Sequence, residues 1–503
     1  LTKEYRSRGR TVRAVDGLNL SVGAGEFFSL LGVNGAGKTT VIKMLSCLTP
    51  PTAGTATLGG YDIRREPEAV RRLMNVSPQN TAVAPNLTVE ENLAFMAGLW
   101  GADTAGARRA AEDIMQRMEL APRRHDYART LSGGWQRRLS IAMALITGPR
   151  VLFLDEPTLG LDVLARRELW SVILSLHGQV TLILTTHYLE EAEALSDRIG
   201  IMAGACGRWA PPPGCVRRQA RIPLRMPLWH LPPAKRRACD MRDSIGRSGG
   251  HARRIRLFTV RTLREILRDP LSFVICLGVP LVLLVAMYAL FSPTEPWFTL
   301  DMLTPGIAVF SGAFAMLYMA LLVSRDRATW FLTRLYSSPL TDGDFVLGYA
   351  LPGILIGAGQ LAICWAASAV TGLVAGETAW LGIGILPAVL SALPMVVCFV
   401  FIGILSGSLF SDKAAPGLSS VVISGAGFLS GAWMPVESLS GGFRTFCAWL
   451  PFYPAVRAGR AALAGNALTG DFWRDEAVVC AYTAVFVIAA VLAFRYKARH
   501  DAA

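Results

Sequence analysis

Six long apolar stretches in the second half of the chain constrain its folding most. They fall at about residues 271–291, 303–323, 346–374, 381–409, 414–434 and 477–494, and none contains Asp, Glu, Lys or Arg. Each approaches or exceeds the roughly 18–20 residues that a helix needs to cross about 30 Å of hydrocarbon. Six membrane-spanning helices are therefore expected after residue 270. The composition agrees, with 52% hydrophobic and 17% charged residues over 503 positions. Spans free of ionisable residues argue against proton or sodium coupling, because such relays need acids or bases inside the membrane.

The loops give an orientation. Arg325, Arg327 and Arg334 follow the second stretch, Lys413 the fourth, and Arg495, Lys497 and Arg499 the sixth. The positive-inside bias puts those sides in the cytoplasm. Glu295, Asp301 and Glu377 fall in the opposite loops. Residues 436–475 are discordant, since they read as external yet carry Arg444, Arg457, Arg460 and Arg474.

The formal charge of +13 is concentrated rather than spread. Residues 204–256 hold thirteen Lys or Arg and two acidic residues. A general nucleic-acid surface loses its main support, and no nucleic-acid partner is expected. The nine cysteines form no CxxC pair and read as free thiols. Residues 1–10 contain no apolar core of a cleavable signal peptide.

Residues 1–203 read differently, as short buried strands (27–31, 151–154, 180–184) alternating with helical segments. Gly32-Val33-Asn34-Gly35-Ala36-Gly37-Lys38-Thr39 matches GxxxxGK[ST] between a strand and helical sequence beginning at Thr40. The glycines let backbone N–H groups turn around phosphate oxygens, Lys38 reaches the β- and γ-phosphates, and the Thr39 hydroxyl meets Mg2+. A chance glycine turn is the alternative. The strand 151–154 ends in Asp155, a second candidate for the metal, and Glu156, the candidate base for an attacking water. Read alone, that pair is a solvated strand edge.

Leu131-Ser132-Gly133-Gly134-Trp135-Gln136 resembles the signature of ABC ATPases. By itself it would be an ordinary helix cap. The resemblance implies ATP and Mg2+ as cofactors, with ATP sandwiched between two such domains. Ser132, Gly133, Gly134 and Gln136 of one chain would then meet the nucleotide held by the partner's residues 32–40. It further implies that Tyr5 stacks on adenine and that Gln79 touches the metal and couples nucleotide state to the membrane. Asp162 would cross the dimer interface, and His187 would bond the γ-phosphate. These elements occur in family order over nearly 200 residues.

The second half resembles ABC-2 permeases. Residues 255–267 read as an interfacial amphipathic helix. Residues 325–340 read as a cytoplasmic helical segment that couples to the ATPase, and residues 428–435 as an external turn before the last span. Each has an ordinary amphipathic or interfacial stretch as its alternative. Frequent Gly, Ala and Ser in the third to fifth spans would allow close helix packing.

The expected fold class is an α/β P-loop ABC ATPase domain with a helical subdomain over residues 1–204, followed by an all-α six-helix transmembrane domain over 251–503. Residues 205–250 form a basic Pro/Arg-rich linker. Assuming GC-rich codons, a one-base shift at the Ala205/Cys206 boundary reads Leu-Arg-Ala-Leu-Gly-Thr-Pro-Ala-Gly-Leu-Arg, which restores the text that the family carries there, so a frameshift is hypothesised. The expected protein is a multi-pass, ATP-driven exporter of a small molecule, lipid or glycan in the cytoplasmic membrane. Its ATPase domain would be cytoplasmic and paired with a second copy or a related subunit. The alternative is a membrane-anchored nucleotide-binding protein made transport-incompetent by a damaged joint.

Overall fold

The computed structural model describes residues 1–7, 10–203, 208–209, 250–433, 436 and 441–501. The chain divides into two units. The first comprises Leu1–Leu257, Thr329–Leu340 and Ala498–Ala503, and the second Phe258–Ala328 and Thr341–Lys497. The expected linker and its frameshift lie almost wholly outside the described residues. Within that stretch, Arg208–Trp209 forms a short strand antiparallel to Arg198–Ala203.

The first unit is built on a six-stranded sheet. Its order is Arg208–Trp209, Arg198–Ala203, Phe27–Gly32, Thr181–Thr186, Val151–Asp155 and Met74–Ser77. All pairings but the first are parallel. Phe27, Phe28, Leu30, Leu152, Phe153, Leu154, Leu182 and Leu184 are buried, as expected of parallel strands covered on both faces. A helical layer follows, formed by Val89–Leu99, Thr104–Arg117 and Gly133–Leu145. Thr88 and Glu91 close a reciprocal capping box at the start of the first of these.

The second unit is helical: His251–Leu267 (from Phe258 on), Pro270–Phe291, Leu300–Ala328, Asp342–Ala375, Ile385–Leu409, Ala415–Leu429, Gly441–Trp449, Phe452–Leu463 and Gly470–Asp501. Among the described residues four helices are long and apolar enough to cross a membrane, namely Leu300–Ala328, Asp342–Ala375, Ile385–Leu409 and the part of the last over Gly470–Lys497. The first and fifth expected spans correspond to the shorter apolar helices Cys276–Phe291 and Ala415–Leu429. Small residues let Ile385–Leu409 lie against Leu300–Ala328. A Cβ on Gly403 would sit 2.4 Å from the Met316 carbonyl oxygen, and one on Gly407 2.7 Å from that of Ala320.

The turn expected at residues 428–435 and the last expected span are separated by the helices Gly441–Trp449 and Phe452–Leu463. Two of the four discordant arginines there have partners inside the unit. Arg457 pairs with Asp475, and Arg460 donates to the carbonyls of Met302 and Gly431. Finally, the helix expected at the interface buries Arg261, Thr262 and Glu265. Part of its polar side meets a neighbouring helix, Arg261 on Asp326 and Glu265 on Arg325, while Arg256 and Arg264 are exposed, and hydropathy spacing cannot distinguish the two environments.

Candidate nucleotide site

The phosphate loop runs from the strand Phe27–Gly32 into the helix Lys38–Leu45. Gly37 has φ +93°, and a Cβ there would lie 2.2 Å from the Ala14 carbonyl oxygen, so the turn requires glycine. Around it lies a cavity of about 360 Å3, lined by the loop residues Asn34 to Thr40 together with Gln79, Glu156 and His187. Side chains far apart in the sequence thus meet at one opening.

Lys38 is 4% exposed and donates to the carbonyls of Gly32 at 2.6 Å and Val33 at 3.1 Å. Its ammonium lies 3.4 Å from Glu156 Oε1. Glu156 also accepts from Gln79 Nε2 at 3.3 Å, and its Oε2 is 3.4 Å from His187 Nδ1. Its backbone holds φ +44°, a costly conformation for a non-glycine residue, kept in place by its N–H donating to Thr185. An ordinary strand would point the two carboxylates to opposite faces, whereas here Asp155 meets Thr39 and Glu156 meets Lys38, Gln79 and His187 at the same site.

Asp155 accepts from the Thr185 hydroxyl and, at 3.3 Å, from the Thr39 hydroxyl. Burial pushes its carboxyl above the usual range, while those two hydroxyls act in the opposite direction. A buried carboxylate beside a hydroxyl is an oxygen donor set of the kind Mg2+ takes, so these residues fit that ion.

Tyr5 lies on the strand Lys3–Ser7, and its hydroxyl bonds the Thr40 side chain. Asp162 caps the helix Val163–Leu174, accepting from the Ala165 N–H at 2.8 Å. Gln136 Nε2 donates to the carbonyls of Ala128 and Leu131 at 3.0 and 3.2 Å, so this side chain braces the approach to the signature helix. Ser132 occupies the N-cap position of the helix Gly133–Leu145 without making a side-chain cap hydrogen bond. Ser132 and Gly133 are exposed, and neither they nor Gly134 line the phosphate cavity.

Two arginines complete the arrangement. Arg137 is 3% exposed and donates to the backbone carbonyls of Pro157, Pro78, Gln79 and Asp155. Burial brings its guanidinium down to about 10, despite the opposing charges of Asp155, Glu191 and Glu156. Sequence reading missed it, although it directly follows the signature. Arg334 lies on the short helix Phe331–Tyr336 and donates from Nη2 to the Ser140 carbonyl and hydroxyl, both at 2.7 Å. The Ser140 hydroxyl is 3.1 Å from that of Ser77, two residues before Gln79. Phe331 stacks on Phe95 with centroids 6.3 Å apart, and Lys43 of the phosphate-loop helix lies 5.8 Å from the Trp330 ring.

The family described as "ABC transporter" matches residues 15–159, and "ABC-2 type transporter" matches residues 253–464. The chain is 44% identical over 191 residues to the daunorubicin/doxorubicin resistance ATP-binding protein DrrA of Streptomyces peucetius, covering 38% of this chain and 58% of that protein. It is 41% identical over 203 residues to the human phospholipid-transporting ATPase ABCA3, covering 40% of this chain and 12% of that one. The matches thus span little more than half of the bacterial relative and a small part of the human one. A dimeric post-hydrolysis structure of the ATP-binding cassette MJ0796 bound to ADP and Pi aligns with 26% identity and a TM-score of 0.38, covering 41% of this chain and 93% of that one. The chain joins an ATPase region of the ABC transporter family to a membrane region of the ABC-2 type transporter family.

Proposed function

We propose that this protein hydrolyses ATP to drive export of an amphiphilic drug-like molecule or lipid across the cytoplasmic membrane, working as a pair of chains with the ATPase unit on the cytoplasmic side. The observation that carries the reading is the seat of Arg334. Residues 329–340 join two membrane-type helices in sequence, yet they pack with the ATPase unit. Arg334 reaches Ser140, whose hydroxyl neighbours that of Ser77 on the strand leading to Gln79. A nucleotide-driven shift of Gln79 therefore has a short polar route to this segment.

In this reading Lys38 and the loop N–H groups hold the phosphates, and Thr39 and Asp155 would hold Mg2+, which would supply positive charge against the phosphates. Glu156 accepts the proton of the attacking water, and His187 orients the γ-phosphate. Pairing is supported by Ser132 and Gly133, which are exposed away from their own chain's cavity, with the serine hydroxyl unused as a cap. The drug and phospholipid relatives favour an amphiphilic cargo.

Glu156→Gln should retain ATP binding and lower turnover by at least about 100-fold, the scale of a lost general base. Steady phosphate release at the parental rate would refute the assignment. Nucleotide-dependent accumulation of daunorubicin or a fluorescent phospholipid in inside-out vesicles tests transport. A transport-incompetent nucleotide-binding protein is the second reading, favoured by the sequence break after Ala205, and ATP turnover without accumulation of either probe would support it.

A further inference from the structure

Within the helical unit a cavity of about 130 Å3 lies among the helices His251–Leu267, Pro270–Phe291, Leu300–Ala328 and Asp342–Ala375. Ile266, Leu277, Ala315, Ile356 and Ile363 give it apolar walls. Two polar side chains also line it. Tyr318 spends its O–H on the Ile266 carbonyl at 3.2 Å. Gln360, 4% exposed, donates Nε2 to the Cys276 carbonyl at 3.0 Å, while its Oε1 has no hydrogen-bond partner among the described residues.

The chain itself explains that half-used amide. Pro280 lies inside the helix Pro270–Phe291 and has no N–H, so the carbonyl four residues earlier, that of Cys276, lacks its helical donor. Gln360 supplies the missing donor and is thereby fixed with its amide nitrogen towards Cys276. Turning the amide over would orphan the carbonyl again. The oxygen is left as a buried acceptor at an otherwise apolar cavity, which is costly unless something donates to it. A buried water needs two to four polar partners, and these walls offer it little beyond this oxygen. A dry cavity of roughly 150 Å3 accommodates a benzene ring.

We infer that this cavity binds a neutral apolar molecule about one ring in size with a single O–H or N–H donor, a phenol-like group, which hydrogen-bonds Gln360 Oε1. The inference does not rest on the transport reading, since every residue involved lies in the helical unit.

The test uses the full chain in detergent micelles, titrated with para-fluorophenol and para-fluorotoluene, which share a shape but not the donor. Fluorine NMR follows binding, with partition into empty micelles subtracted. The phenol should bind saturably and about tenfold more tightly than the toluene, the scale of one hydrogen bond in a dry site. Gln360→Leu should bring the two close to parity. Ala315→Leu, filling the cavity from its wall, should abolish saturable binding of both. Should that variant fail to fold, Ile363→Trp fills it from the rim, where Ile363 is 40% exposed. Absence of saturable binding, a phenol preference that survives Gln360→Leu, or binding that survives a folded filling variant would each overturn the inference.

Discussion

Arg261 in the helical unit and Arg334 in the ATPase unit are both fully buried, and the two regions treat that charge in opposite ways. Arg261 makes a bidentate pair with Asp326 at 2.5 and 2.9 Å, with Glu265 3.9 Å away, and Asp326 also accepts from the Tyr349 hydroxyl at 2.7 Å. Arg334 meets the neutral oxygens of Ser140 through one nitrogen, while among the described residues Nε and Nη1 have no hydrogen-bond partner. Burial, and then the like charge of Arg137, pulls its guanidinium down to about 9. A cation on a carboxylate is locked, because moving either partner strands a charge in a dry interior. A cation on a carbonyl and a hydroxyl is held lightly. The first arrangement suits a scaffold, and the second suits a contact remade in each cycle.

The sharpest test of that contrast is Arg261→Met. It takes the bidentate guanidinium away from the buried Asp326, while Glu265 keeps Arg325 at 3.2 Å, and should cost about 3–5 kcal/mol, the usual penalty for breaking a buried pair from one side. The readout is the fraction of folded, monodisperse protein in detergent and its thermal midpoint. Adding Asp326→Leu should recover part of the loss. Wild-type stability in the single variant would mean that the pair does not lock the helices.

The two regions also differed in how far they could be read in advance. Around the nucleotide the sequence supplied residue types at fixed spacings. Lys38, Thr39, Gln79, Glu156 and His187 meet at one cavity because strand ends deliver them there. The backbone bend at Glu156 and the role of Arg137 were not legible. The first is a conformational choice, and the second consists of bonds to carbonyls, which every residue carries. In the membrane half, hydropathy found the apolar helices but not the burial of Arg261 and Glu265. Periodicity reports that one helix side is polar, not what covers it. The half-used amide of Gln360 was equally hidden, since its partner is the orphan carbonyl below Pro280 on another helix.

The lightly held arginine makes a prediction of the opposite kind. Arg334→Met replaces an incompletely paired buried cation with an apolar side chain of similar length. Stability should stay within about 1 kcal/mol of the parent or rise, as replacement of buried charge by packed apolar groups often does. Basal phosphate release should persist, while its stimulation by daunorubicin or phospholipid should fall. A collapse in stability like that expected of Arg261→Met would erase the distinction between the two arginines. Unchanged stimulation would remove Arg334 from the coupling route.

The smallest stability effect is expected at a helix start, where the same contrast between used and unused polar groups recurs. Asp162 and Ser132 both occupy N-cap positions with extended backbone, yet Asp162 accepts from its helix and Ser132 does not. Asp162→Ala should therefore cost about 1 kcal/mol, the typical loss of a cap. Ser132→Ala removes a hydroxyl that its own helix leaves idle and should change stability by less than about 0.5 kcal/mol. If that hydroxyl serves nucleotide held by a second chain, ATP turnover should nonetheless drop in Ser132→Ala, and more steeply than its thermal midpoint. A loss of midpoint equal to that of Asp162→Ala, with turnover intact, would return Ser132 to the role of a plain helix cap.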